Sequence, residues 1–182
     1  MRRVVFLILF CVLSGGCSLE KRRLADDVES LMKQTINIPT DLCCVYDRCV
    51  TSEVVEERKD NILIVYMDSS VCYSCKIMRF RELYPLYTLA DKSGEFSVMT
   101  IMSPKIDEMN SVLDNIMISN PRFPIYLDVK GSFRKINHIP SNKDCHVFLI
   151  DENRKPIFVG NPLMSPELEK LFWRVLMGKT EE

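Results

Sequence analysis

The chain has only two histidines, His138 and His146, in 182 residues, a thin basis for any histidine-built metal centre. Basic side chains are not in excess: 24 Lys and Arg stand against 25 Asp and Glu, for a formal net charge of −1. That balance gives no electrostatic footprint for nucleic acid. No internal repeat or low-complexity tract is present, which argues against a solenoid or a disordered linker protein. The apolar run at the start, Val4 to Leu13, is ten residues long and too short to span a bilayer unless extended. What the chain does have is eight cysteines. Two of these, Cys72 and Cys75, form a CxxC.

The first residues read as a processing signal. Arg2 and Arg3 supply a positive start, Val4 to Leu13 the apolar stretch, and Ser14-Gly15-Gly16-Cys17 a run of small residues ending in cysteine. This resembles a bacterial lipoprotein signal, with cleavage before Cys17 and lipidation of that residue. Residues 1–16 are then the signal, 17–35 a lipidated tether with a leading helix, and 36–182 the folded domain. Removing 1–16 leaves 166 residues, with 22 basic against 25 acidic side chains. One domain with a proper core fits that length. The expected site of action is the bacterial cell envelope: exported, lipid-anchored and facing the periplasm. In such an oxidising compartment a CxxC can be a stable disulfide, a redox pair or, less often, a metal site.

Hydrophobic spacing predicts the elements. Leu24, Val28, Leu31 and Met32 suggest the leading amphipathic helix. Leu42 to Tyr46 reads as a short strand, and Glu53 to Asp60 as a solvated connection. Ile62 to Met67 has the length and β-branched content of a buried strand. Beyond the CxxC comes a helix with Ile77, Phe80, Tyr84 and Tyr87 on one side, which Pro85 should kink or break. Phe96 to Met102 is the next strand. Ser103-Pro104 is read as a helix start, with Ile106, Met109, Val112, Leu113, Ile116 and Met117 as the buried face. Phe123 to Asp128 is a third strand, Ser132 to Asp144 a polar connection, and His146 to Ile150 a fourth strand. Pro156 to Val159 forms a hairpin with it, and a final helix follows Ser165-Pro166, with Leu168, Leu171, Phe172, Val175 and Leu176 apolar. This order describes an α/β fold: a mixed central sheet with helices on both faces.

A CxxC set between a strand and a helix has a definite chemical meaning. The unpaired N–H groups at a helix start carry partial positive charge and stabilise a thiolate on the first cysteine. Lys76, Arg79 and Arg81 add positive charge nearby. Cys72 is then the attacking thiol, and Cys75, one turn on, can close a disulfide and release a bound partner.

With those residues in place, the chain resembles the thioredoxin-like fold, and more narrowly the exported, membrane-anchored thiol–disulfide oxidoreductases and redoxin-type lipoproteins of bacteria. The resemblance runs from about Leu42 to the C-terminus. It rests on the strand-CxxC-helix at 62–89, on FPIYLD at 123–128 and on HVFLIDENRKPIFVG at 146–160. It implies exchange with protein disulfides and dithiols, a membrane or periplasmic redox partner, no organic cofactor and no resident metal. Two departures stand out. Val71 occupies the place where the family usually has tryptophan. Asp144-Cys145-His146 falls where the family usually has a cis-proline facing the disulfide.

That alignment makes Cys145 and His146 active-site neighbours, with three readings open: a third redox thiol, a Cys₃His or Cys₂His metal site completed by the CxxC, or a cysteine and a histidine simply packed at a strand edge. Cys43, Cys44 and Cys49 read as a structural disulfide or as plain buried thiols rather than a second exchange pair, and any bridge is expected from Cys49 to Cys43 or Cys44, since adjacent cysteines rarely join. Ser69-x-x-Cys72 resembles the hydroxyl-x-x-Cys of peroxiredoxins, but Val65 stands where those enzymes need proline. A binding lipoprotein of the same fold, its CxxC a locked structural disulfide, is the competing class.

Overall fold

The computed structural model describes residues 19–51, 59–68 and 80–178. Its frame is a seven-stranded mixed sheet in the order β2-β1-β5-β4-β3-β6-β7. The strands are β1 (Cys43–Tyr46), β2 (Cys49–Thr51), β3 (Ile62–Met67), β4 (Ser97–Met102), β5 (Ile125–Leu127), β6 (Val147–Ile150) and β7 (Pro156–Val159). β3, β4 and β5 run parallel at the centre, and antiparallel hairpins close both edges. The helices are α1 (residues 19–32), α2 (Phe80–Ser93), α3 (Met109–Ser119), α4 (Ser132–Asn137) and α5 (Pro166–Leu176).

Side-chain alternation divides the sheet between two cores, as a strand's period of two requires. Leu63 and Val65 of β3, Val98 and Met102 of β4, Ile125 and Leu127 of β5 and Leu149 of β6 share one cluster with Phe80, Leu83 and Leu86 of α2, Val112 and Ile116 of α3 and Phe172 of α5. Ile64 and Tyr66, Met99 and Ile101, Tyr126, Phe148 and Ile150 point the other way. They meet Leu31 of α1, Phe133 of α4 and Cys145. The central strands are thus covered on both faces, which is why they read as nearly continuous apolar runs.

Several elements depart from the sequence reading. α2 runs through Pro85 without a break. Proline removes one backbone donor, but Leu83, Leu86 and Ala90 bury the same face on both sides of it. Ser103-Pro104 does not open a helix: a 3-10 turn at Ile106–Glu108 comes first, and α3 begins at Met109. Ile106 is consequently 85% exposed rather than part of the core. Leu171 of α5 is also exposed, while Phe172 beside it is fully buried. The stretch 132–144 contains α4 and the start of a 3-10 turn, Lys143–Cys145, where the sequence suggests only a connection. Helices this short carry too few residues for a period to be read.

The β1–β2 hairpin decides the cysteine pairing. Tyr46 lies opposite Cys49 and Cys44 opposite Thr51, so Cys49 is displaced by two or more places from both Cys43 and Cys44. Such diagonal separations exceed what a disulfide spans. Among the described residues no bridge joins Cys49 to either, so of the two readings the thiols stand, with Cys44 buried and Cys49 exposed.

Candidate functional site

The three parallel strands end level with one another. Met67 is paired with Met102, and Met102 with Leu127. Each strand is followed at once by a buried polar residue: Asp68, Ser103 and Asp128. Backbone bonds hold this row in step, from Ser103 N–H to the Met67 carbonyl (2.8 Å) and from Asp128 N–H to the Met102 carbonyl (2.7 Å). In open α/β sheets, ligands are bound outside the carboxyl ends of the strands, and this row forms that edge.

The polar groups of the row are satisfied. Asp128 accepts from Ser103 Oγ (3.0 Å, to Oδ2), from Ser132 N–H (2.8 Å) and from Phe133 N–H (3.0 Å), so its carboxylate both caps α4 and ties it to β4. Arg134 of α4 reaches Asp68 Oδ2 through Nη1 at 3.4 Å and donates to Ser141 Oγ through Nη2 at 2.6 Å. The Tyr66 phenol lies beneath the row and is held above its ordinary pKa, first by burial, with its hydrogen-bond contact to the Ser103 side chain working the other way. Its ring packs on Phe133 (5.4 Å) and edge-on to His146 (5.2 Å). Above the row a cleft of about 300 Å³ opens between the turn after β4 and the start of α4, with Tyr66, Asp68 and Arg134 in its lining.

Asp68 is the last described residue before the segment that carries the CxxC. Cys72, Cys75 and Ser69 lie in residues 69–79, outside the described residues, and so does Cys17. The far side of that segment is anchored by aromatic packing. Phe80, Tyr84 and Tyr87 of α2 surround Phe123, the Tyr87 ring stacking on it at 4.0 Å and 11°. Tyr87 Oη also shares a hydrogen bond with Thr100 Oγ1 of β4 (2.9 Å), and Tyr84 Oη accepts from Arg122 N–H (3.3 Å).

Cys145 closes the 3-10 turn at Lys143–Cys145, with His146 as its cap and β6 directly after. Its thiol is fully buried among the α1-side core residues. Burial first, then the nearby Asp27 and Asp144 carboxylates, push it up to about 11. It is therefore a protonated thiol at neutral pH, with little nucleophilic character. His146 is buried as well, its Nε2 within 2.8 Å of the Pro140 carbonyl, while its own carbonyl accepts from Tyr66 N–H (2.8 Å). Its backbone thus borders the end of β3. Among the described residues no three His, Cys, Asp or Glu side chains lie close enough to share a metal ion.

The sequence reading did not single out the Asp68–Ser103–Asp128 row as part of a site, nor Arg134. A signal was available: each of the three central apolar runs gives way abruptly to a small polar residue.

A parallel β3-β4-β5 core, the antiparallel β6–β7 hairpin, helices on both faces and a CxxC following β3 define the thioredoxin-like fold, and the chain has it. Solved structures agree. The chain superposes on a conserved protein from Geobacillus kaustophilus with a TM-score of 0.55 at 18% identity, covering 82% of this chain and 85% of that one. It matches a Chlorobium tepidum protein described as a thiol:disulfide interchange protein, DsbE, with a TM-score of 0.50 at 13% identity, covering 81% and 99%. The chain matches no protein-family model and no curated protein sequence.

Proposed function

We propose that this chain is a thiol–disulfide oxidoreductase of the bacterial cell envelope, exported and held to its membrane by a lipid on Cys17. The observation that carries the reading is the place of the CxxC in the chain, between β3, which ends at Met67, and α2, described from Phe80. In this reading the helix opens at the CxxC, and its free N–H groups together with Lys76 and Arg79 would favour a thiolate on Cys72. The Cys72 thiolate attacks one sulfur of a partner disulfide, breaking that S–S bond and expelling a partner thiolate, which takes up a proton. Cys75, giving up its proton, then attacks the Cys72 sulfur of the mixed disulfide. The second partner thiol leaves and a Cys72–Cys75 disulfide remains, so two electrons have passed from this protein to its partner. The reverse sequence oxidises a partner dithiol. After the forward sequence the pair is reset by the dithiol of a second membrane or periplasmic protein, after the reverse sequence by that protein's disulfide, and no organic cofactor is required.

Cys145, buried and protonated, is better suited to packing than to a third step. His146 contributes through its backbone position beside β3. No helix among the described residues is long and apolar enough to cross a membrane.

Trapping tests the proposal. A Cys75→Ala variant in cells should accumulate mixed disulfides through Cys72 that dithiothreitol releases, and Cys72→Ser should accumulate none. A Cys72–Cys75 potential within roughly −270 to −120 mV fits exchange; one below about −300 mV, with no trapped partner, would mean a structural bridge instead.

A further inference from the structure

We infer that the cleft at the carboxyl edge is the docking site for an extended, acidic segment of the polypeptide whose disulfide is exchanged. This deepens the reading above and rests on it for the identity of the partner. The cleft is lined by Asp68, four residues before Cys72 in the chain.

Charge chooses the partner. Among the described lining residues, Lys105, Lys130, Arg134 and Lys135 stand against one carboxylate, that of Asp68, in a chain whose formal net charge is −1. Two of the four cations are already engaged: Arg134 with Asp68 and Ser141, and Lys130 with Asp41 Oδ2 at 3.1 Å. Lys135 Nζ donates to the Lys130 carbonyl at 3.0 Å, and that neutral acceptor leaves its charge uncompensated. Lys105 is exposed at the opposite lip. Like charges gathered about one cleft repel each other unless an anion joins them, and they focus the potential on whatever enters.

Shape narrows the choice further. Two apolar side chains also line the cleft: Ile106, 85% exposed, and Val129, 38% exposed. Ile106 sits on the 3-10 turn that precedes α3. Apolar contacts set between two lysines suit an extended peptide that alternates acidic and apolar side chains. A small inorganic anion would leave both apolar groups in water.

The test uses the full chain and a fluorescent peptide rich in Glu and Leu that contains no cysteine, with a second peptide carrying Lys in place of Glu. Fluorescence anisotropy at low salt should show binding of the acidic peptide alone. Lys105→Glu with Lys135→Glu, both at exposed positions, should weaken that binding by about tenfold or more. The difference should vanish near 1 M salt, where the screening length is about 3 Å. Equal binding of both peptides, or an acidic peptide indifferent to the double variant, overturns the inference. So does loss of binding to anionic phospholipid vesicles in the double variant with peptide binding unchanged. Because the peptide has no thiol, docking is read separately from exchange: binding without trapping by Cys75→Ala would sink the oxidoreductase reading, and trapping without selective binding would sink this one.

Discussion

Asp128 shows how one buried carboxylate can organise an edge of the sheet. It accepts the Ser103 hydroxyl and the first two N–H groups of α4, and with only 1% exposure no water replaces a lost partner. Asp128→Ala leaves those donors stranded and should cost about 3 kcal/mol or more in urea unfolding, with Asp128→Asn losing less because one oxygen still accepts. Cys145 provides a second residue-scale test. Its thiol releases a proton only at about 11 in the folded protein, against an ordinary 9. A raised pKa of this kind adds stability that is fully present below pH 9 and is lost as pH climbs toward 11. Wild-type stability should therefore fall faster than that of Cys145→Ala across this window, by at most about 1.4 kcal/mol per pH unit. In the native protein Cys145 should also resist iodoacetamide at pH 8 and react once urea unfolds the chain.

At the scale of elements, α2 explains how a helix can carry an interior proline next to a site. Pro85 is on the exposed side, and the missing donor faces solvent while Leu83 and Leu86 are buried on the inner side. An interior proline is unfavourable by about 3 kcal/mol relative to alanine. Pro85→Ala should therefore raise stability, by roughly 1–3 kcal/mol in chemical denaturation. The strands were legible because each satisfies a local rule: Ile62 to Met67 is uniformly apolar, and Pro156 to Val159 follows a turn. Ser103-Pro104 misled for an equally local reason. The pair has the chemistry of a helix cap, but the Ser103 hydroxyl is drawn to Asp128, 25 residues away, and is not available to cap anything.

At the scale of the whole molecule, helix α1 closes one face of the sheet. Its Leu31 is fully buried, and Ile36 just beyond it donates its N–H to the Arg154 carbonyl at 2.8 Å. The chain leading from Cys17 is thus short before it becomes part of the fold, and the domain would sit close to any lipid on that residue. Cys17→Ser should release the protein from the membrane fraction of the expressing bacterium and abolish incorporation of labelled palmitate. Retention of both in that variant would remove the anchor from the proposal.

The amino-acid order alone determined where the central strands lie, that a CxxC interrupts the passage from strand to helix, and that both sheet faces are buried, because alternation and apolar runs are written in neighbouring residues. Only the tertiary structure decided which ends meet. Asp68, Ser103 and Asp128 are separated by tens of positions and form one row because β3, β4 and β5 pair in parallel and in step. Lys105 and Lys135 face one cleft for the same reason. Cys145 is turned toward α1 by the register of β6, and no short stretch of chain encodes a register between distant strands.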